Sequence, residues 1–528
     1  MITATRKSKQ ITISDGIIST GLFNRFQMIL LILFMLSSCL TGIMTNQFHS
    51  LSVMQAVDCL SSNCELVLSS NSKKSLEKIC EMKKDEWEFS ETKSNWLTDF
   101  SLICDKNYLI DLETSVYFLG FFVSALLIGY SCDRYGRCLI SICCFVTFLG
   151  LLLMLKYAVQ LDKIFLLRLI AGGMHSCLSV SLLVTLAEFN TQKNLWICSI
   201  LGSIAFSIGK TIVSYMAYDD DQWQNTFDVP ICIVIAALAL CYVVMPETPF
   251  WFYANGKELQ ALVSLNEVAI VNRSLLLKDV SLVNHHRVKE DHYATATISV
   301  TLKILFMRLP LLCLALCWFT AFSCYFILDN DIKFMVDSNE YFEMMVVGIS
   351  EVPLQVVMFF TVQNLGRKKA ASIFFALLAI VMSFGCVPTS ILDNTLSLGT
   401  VSTKAVVLTI AKSCAGSLLP LLTVYTCELL PTLSRCSGLS LCLMAGSSSS
   451  LLFPFIATLD TIMSTSHQIL LVLLAVGSVV VVQRVPDTRN NPLPNNLTEC
   501  ETLFSKRDYN LTDELEMETL LTYNSDDD

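Results

Sequence analysis

What most constrains this chain is a rhythm of long, nearly uncharged runs. Reading between charges gives Phe26–Val57, Thr114–Cys132, Leu139–Leu155, Ile164–Ala187, Asn194–Tyr218 and Val229–Pro246. After a polar break come Leu309–Leu328, Met344–Gly366, Ala370–Leu392, Ala405–Cys427, Cys436–Leu459 and Thr461–Gln483. Each is about 17 residues or more, the least that carries a helix across the hydrocarbon core. Lipid offers no hydrogen bonds, so each run must pair its own backbone groups as a helix, whereas barrel strands would alternate in segments of about ten. The expected fold is an all-α membrane protein with twelve transmembrane helices in two six-helix bundles. Only 16% of residues are charged, against about 25% in soluble domains, and the net charge of −10 argues against nucleic acid as a partner. The first run is too long, and its leader Met1–Arg25 too polar, for a signal peptide.

Lys and Arg in short loops set the orientation. Arg134 and Arg137 follow the second run, Arg367, Lys368 and Lys369 the eighth, and Arg435 the tenth, while Asp219, Asp220, Asp221 and Asp228 crowd one loop on the opposite side and Asp329, Asp331 and Asp337 another. Both termini and the central linker are therefore expected in the cytoplasm, and the chain in the plasma membrane. The parts are a cytoplasmic N-terminus (1–25), a first bundle (26–246) with a large extracellular loop (58–113), a linker (247–308), a second bundle (309–483) and an acidic tail (484–528). The tail reads as solvated and disordered, and the linker contains a predicted helix around Lys257–Val268. Cys59, Cys64, Cys80 and Cys104 in the outer loop are an even set in an oxidising compartment, giving two disulfides in one of three pairings.

No phosphate loop, His-Glu-x-x-His or Gly-x-Ser-x-Gly is present, so no catalytic residue, cofactor or metal is assigned, and no enzymatic activity is expected. His285, His286 and His292 read as a solvated loop. The informative residues are ionisable groups inside the runs, which are costly there and usually functional: Arg168, Glu188, Lys210, Glu351 and Lys412. Arg168 reads equally as an inward ion pair fixing helix packing, and Lys210 and Lys412 as lysines reaching toward the outer interface. Pro353 beside Glu351 frees a backbone carbonyl and suggests a kink at a carboxylate.

The loops complete the picture. Gly129-Tyr-Ser-Cys-Asp133-Arg134-Tyr-Gly136-Arg137 resembles the Gly-x-x-x-Asp-Arg-x-Gly-Arg loop of the major facilitator superfamily. Pro246-Glu247-Thr248-Pro249-Phe-Trp251, Tyr425-Thr-Cys-Glu428-Leu-Leu-Pro431-Thr432-Leu-Ser-Arg435 and Pro486-Asp487-Thr488 with Pro492-Leu493-Pro494 resemble motifs of its organic cation, carnitine and organic anion transporter branch, solute carrier family 22. The resemblance spans Phe23 to Cys500.

It implies two bundles around an aqueous cavity that alternates between outward and inward states, carrying small organic ions: cations, anions or zwitterions such as carnitine. It further implies a cytoplasmic charge lock of Asp133, Arg134, Arg137, Glu188, Arg367, Glu428 and Arg435, and a substrate site of Trp318, Tyr325, Glu351, Lys412 and Ser447. Three departures stand out. Leu195 replaces an arginine, Gln363-Asn364 replaces Asp-Arg in the second-half loop, and Ser447 stands where relatives carry an acid or an arginine. With Ser447 neutral, Lys210 and Lys412 tip the expected field toward an anion or zwitterion. The alternatives are a sugar-porter-like carrier and a non-transporting sensor or scaffold on a carrier fold.

Overall fold

The computed structural model describes residues 9–52 except 22, 57–59, 87–89, 94–102, 106, 108–277, 280–282, 305–333, 340–387, 403–451, 466–489, 493–494 and 500. Among them, twelve long helices follow the twelve runs. The first six are α1 (Arg25–Ser50), α2 (Tyr108–Tyr135), α3 (Arg137–Lys156), α4 (Leu161–Phe189), α5 (Gln192–Asp219) and α6 (Asp228–Val244). The second six are α7 (Leu305–Lys333), α8 (Glu340–Leu365), α9 (Arg367–Gly385), α10 (Thr403–Leu429), α11 (Arg435–Leu451) and α12 (Ser466–Val482). Ten of them are long and apolar enough to span a membrane, α6 when taken with the turn Trp223–Phe227 that leads into it; α11 and α12 have 17 residues each.

Of the boundaries that differ from the sequence reading, three bear on the charges. Helix α1 stops at Ser50, where Leu51 and Ser52 turn the chain. Helix α2 starts six residues early and takes in Asp111 and Glu113, and α7 runs on through Asp329 to Lys333. Charge was read as the end of a run, but Glu113 and Asp329 stay within their helices because each meets a buried cation there.

Close helix contacts hold the first bundle together. A Cβ on Gly42 would sit 2.1 Å from the Phe206 carbonyl oxygen, and one on Gly172 2.0 Å from that of Tyr117. Thus α1 against α5, and α2 against α4, pack backbone to backbone, the arrangement small residues permit where water supplies no hydrophobic drive between helices.

The two halves repeat one local design at one end of the bundles, the charged end. Gly136 (φ 102°) opens α3 and Gly366 (φ 87°) opens α9, both in the left-handed region where glycine costs least. The next residue is an arginine paired with a glutamate: Arg137 with Glu188 at 3.2 Å, Arg367 with Glu428 at 2.8 Å. A threonine donates to each glutamate, Thr248 at 2.6 Å and Thr488 in its counterpart, from Pro-Glu-Thr and Pro-Asp-Thr segments.

Beside this end, β1 (Lys9–Ile11) pairs in parallel with β4 (Val280–Leu282), and helices Ile13–Thr20, Pro249–Ala254 and Glu258–Asn272 close a small apolar cluster around Ile13, Ile17, Phe250 and Leu265. The linker helix is therefore present, joined to an N-terminal strand and helix that the sequence reading did not foresee. The tail also needs correction. Its proximal part is not a free solvated segment: Tyr425 donates to the Pro486 carbonyl at 2.7 Å, Arg435 to that of Pro494 at 3.0 Å, and Leu493, Pro494 and Cys500 are buried.

At the opposite end, Trp96 is buried against Phe48 (ring centroids 4.9 Å apart), and β2 (Val57–Cys59) pairs antiparallel with β3 (Trp87–Phe89). Cys64, Cys80, Cys104 and the Cys59 side chain lie outside the described residues, as do the linker histidines and the tail beyond Cys500.

Candidate functional site

A cavity of about 190 Å³ lies between the halves. Eight aromatic side chains face it, among them Phe34, Phe118, Trp318, Tyr325 and Phe326, interspersed with hydroxyls such as Ser37, Thr41, Ser199 and Thr423. Glu351 is the one charged residue of this wall among the described residues. Gln355, four residues on and so one turn along the same face of α8, also lines it. The amide nitrogen of Gln355 donates to Ser207 at 3.1 Å, while its buried carbonyl oxygen has no hydrogen-bond donor.

Immediately beside the cavity, four charges form a compact cluster that joins the halves. Lys210 on α5 donates to Tyr325 (2.8 Å) and Glu351 (3.0 Å), with Asp329 3.8 Å away. Lys412 on α10 pairs with Asp329 and lies 3.5 Å from Glu351. Ser207 and Tyr325 add donors to the Glu351 carboxylate at 3.0 and 2.9 Å. Two cations and two anions share a dehydrated space, and their formal charges cancel.

This arrangement corrects several expectations. Lys210 and Lys412 do not reach for an interface: both are buried, and carboxylates hold them inward. Asp329, read as an outer-loop charge, is a member of the cluster and cancels the positive field on which the anion preference rested. Lys412 and Ser447 are both fully buried and outside the cavity lining; the Ser447 hydroxyl turns back to the Met444 carbonyl at 3.1 Å. Trp318 and Tyr325 do line the cavity, and Trp318 also donates to Thr426 at 3.2 Å.

A second buried assembly lies within the first bundle. Arg168 pairs with Glu113, donates to the Met44 carbonyl at 3.1 Å and sits 4.3 Å from the Tyr117 ring centroid. Tyr117 bonds one nitrogen of His175, whose other nitrogen is 2.5 Å from Thr41 of the cavity wall. Of the two readings for Arg168, the ion pair that fixes packing is the one realised here. Glu113, Asp329 and His175 were missed; the first two have a signal, an acid within reach of an apolar run that also holds a cation in a neighbouring run.

The charged end is sealed by contacts between halves. Asp133 on α2 accepts from the Ser437 backbone (2.9 Å), the Ser437 hydroxyl (2.6 Å) and the Cys436 backbone (3.3 Å), capping α11 of the other half where its dipole is positive. Arg435 donates to Glu188 at 2.9 Å and Arg137 to the Thr432 carbonyl at 2.9 Å. The expected lock residues therefore split. Asp133, Arg137, Glu188 and Arg435 form one network, Arg367 and Glu428 a separate pair within the second half, and Arg134 points away to Tyr130 at 2.7 Å and is exposed. Glu247 caps α3 by accepting from Arg137 and Cys138 backbone nitrogens at 2.9 and 3.1 Å; burial nonetheless pushes its carboxyl above the ordinary value.

Two bundles around a central cavity, bridged by ion pairs on either side of it, define a membrane carrier of the major facilitator fold. The chain belongs to the sugar (and other) transporter family, whose model matches residues 63–496. It is similar to solute carrier family 22 member 3 of Mus musculus, 26% identical over 425 residues covering 80% of this chain and 74% of that one. It is equally similar to organic anion transporter 3 of Oryctolagus cuniculus, 26% identical over 440 residues covering 80% and 77%. Among solved structures, the proton:xylose symporter XylE bound to 6-bromo-6-deoxy-D-glucose matches 91% of this chain and 99% of its own, with a TM-score of 0.64 and 16% identity. That likeness establishes the fold.

Proposed function

We propose that this protein carries small organic ions by alternating access, and that the favoured cargo is an organic cation or a zwitterion with a cationic head and an apolar body. The carrying observation is the α8 face of the cavity, where the Glu351 carboxylate and the undonated Gln355 oxygen stand one turn apart within an aromatic wall. Both are acceptors, and aromatic faces attract a cation within about 6 Å of the ring. A cationic head would compete with Lys210 for Glu351, releasing the bond that joins α5 to α8. The relatives of solute carrier family 22 support an organic ion over a sugar.

On this reading, the charged end faces the cytoplasm, as the Lys and Arg bias of the loops directs, with both termini on that side and the chain in the plasma membrane. The site comprises Trp318, Tyr325, Glu351 and Gln355, with Lys210, Asp329 and Lys412 as its charge partners. Uptake into oocytes of a quaternary ammonium, an aryl carboxylate, carnitine and glucose tests the proposal. Saturable uptake of the ammonium or carnitine, lost in Glu351→Gln, is expected; uptake of the carboxylate or glucose alone would overturn it.

A further inference from the structure

The end opposite the charged one holds a second, smaller pocket, of about 50 Å³. Helices α1 and α2 of the first half and α7 and α11 of the second all contribute to it, through residues such as Asn46, Asp111, Thr114, Asp329 and Ser450. Phe118, Phe326 and Thr45 line both this pocket and the central cavity. The two rings, one from each half, meet edge to face with centroids 4.6 Å apart. They form the partition between the two spaces.

The pocket wall is built for a cation. No Lys or Arg lines it among the described residues, whereas Asp111 and Asp329 do. Asp329 is engaged by Lys412 and stands 3.8 Å from Lys210. Asp111 belongs to no ion pair among the described residues, and an acid within an apolar span is costly and usually functional. Ser450 makes a separate case. Ser447, Ser448 and Ser449 each turn their hydroxyl back to the carbonyl three residues earlier. The Ser450 hydroxyl, on a residue 3% exposed, has no hydrogen-bond partner. A buried hydroxyl left unmatched is destabilising unless something in the pocket meets it. A hard metal ion draws on oxygen ligands alone, while the rings of Phe118 and Phe326 add attraction for an organic ammonium.

We propose that this pocket is a docking site for the cationic head of the cargo, which Asp111 and Ser450 hold beyond the aromatic partition before it reaches Glu351. The inference rests on the cation reading above and adds an entry step to it. Asp329 connects the two stages, because the same carboxylate lines the pocket and holds Lys412, which lies 3.5 Å from Glu351. A positive head in the pocket competes with Lys412 for Asp329, and so loosens the charge cluster that the cargo meets next.

The test uses the full chain in isolated membranes. Thr114→Cys places a thiol on the pocket wall, and peptide mapping follows its reaction with N-ethylmaleimide with and without tetramethylammonium. Bound ammonium should slow labelling about fivefold once present at about four times its dissociation constant. Protection should persist with Glu351→Gln, which weakens only the central site, and vanish with Asp111→Asn. With Ser450→Ala the concentration needed should rise about threefold. Sodium at equal concentration should protect nothing. No protection at all, protection lost with Glu351→Gln, protection that survives Asp111→Asn, or equal protection by sodium would each overturn the proposal. Failure of the cation reading itself is seen separately, as uptake of the aryl carboxylate or glucose alone in oocytes.

Discussion

Removing the carboxylate of Asp329 would leave Lys412 fully buried beside a second lysine with one acid between them. Breaking a buried pair from one side costs about 3–5 kcal/mol, whereas replacing both partners with apolar groups is often near neutral. Asp329→Asn should therefore lower the melting temperature of the detergent-purified protein sharply, and Asp329→Asn with Lys412→Met should recover most of the loss. Equal damage in the single and double variants would deny the pair its role. At this scale the sequence showed which cations matter but not how they are matched. Arg168, Lys210 and Lys412 stand out as charges amid apolar runs, whereas Glu113 and Asp329 sit near the ends of theirs and look like loop residues. Pairing across helices is a property of three-dimensional proximity, and no spacing along the chain encodes that Asp329 meets Lys412. The same blindness moved Ser447, one turn beyond Leu443, into a cavity that Leu443 lines and Ser447 does not.

Helix contacts make a sharper prediction than helix lengths do. A methyl on Gly172 would collide with the Tyr117 carbonyl, while Gly150 and Gly477 have nothing within 4 Å. Gly172→Ala should cut the yield of folded protein and lower its melting temperature, while Gly150→Ala and Gly477→Ala leave both unchanged; a chromatography-based stability assay on the three distinguishes them. The tail offers a second case. Truncation after Arg484 removes the Pro486 and Pro494 carbonyls and the Thr488 hydroxyl that engage Tyr425, Arg435 and Glu428, and the truncated protein should lose stability in the same assay. The helices were legible because the bilayer imposes length and apolarity on each. The strand Lys9–Ile11 and the pinned tail were not, because three-residue pairings and carbonyl contacts leave no periodicity to read.

For the whole molecule, the contacts at the charged end set how readily the halves part there. Asp133→Asn weakens three acceptor contacts to α11 at once; a loss of about 1.4 kcal/mol would shift the closed-to-open ratio on the order of tenfold. Surface abundance should stay normal while turnover falls, and Cys132 and Cys436, both buried in the closed state, should gain reactivity toward maleimide by a similar factor. Unchanged labelling would place the opening elsewhere. The charge cluster carries a further consequence, for electrical behaviour. In the first half Glu113, Asp133 and Glu188 balance Arg168, Arg137 and Lys210; in the second Asp329, Glu351 and Glu428 balance Lys412, Arg367 and Arg435. Each bundle can therefore rock without dragging these charges as a net load through the transmembrane voltage, where one unbalanced charge would be worth about 2.3 kcal/mol per 100 mV. The empty carrier should return at a rate indifferent to membrane potential, leaving the current recorded during uptake to report the valence of the cargo itself.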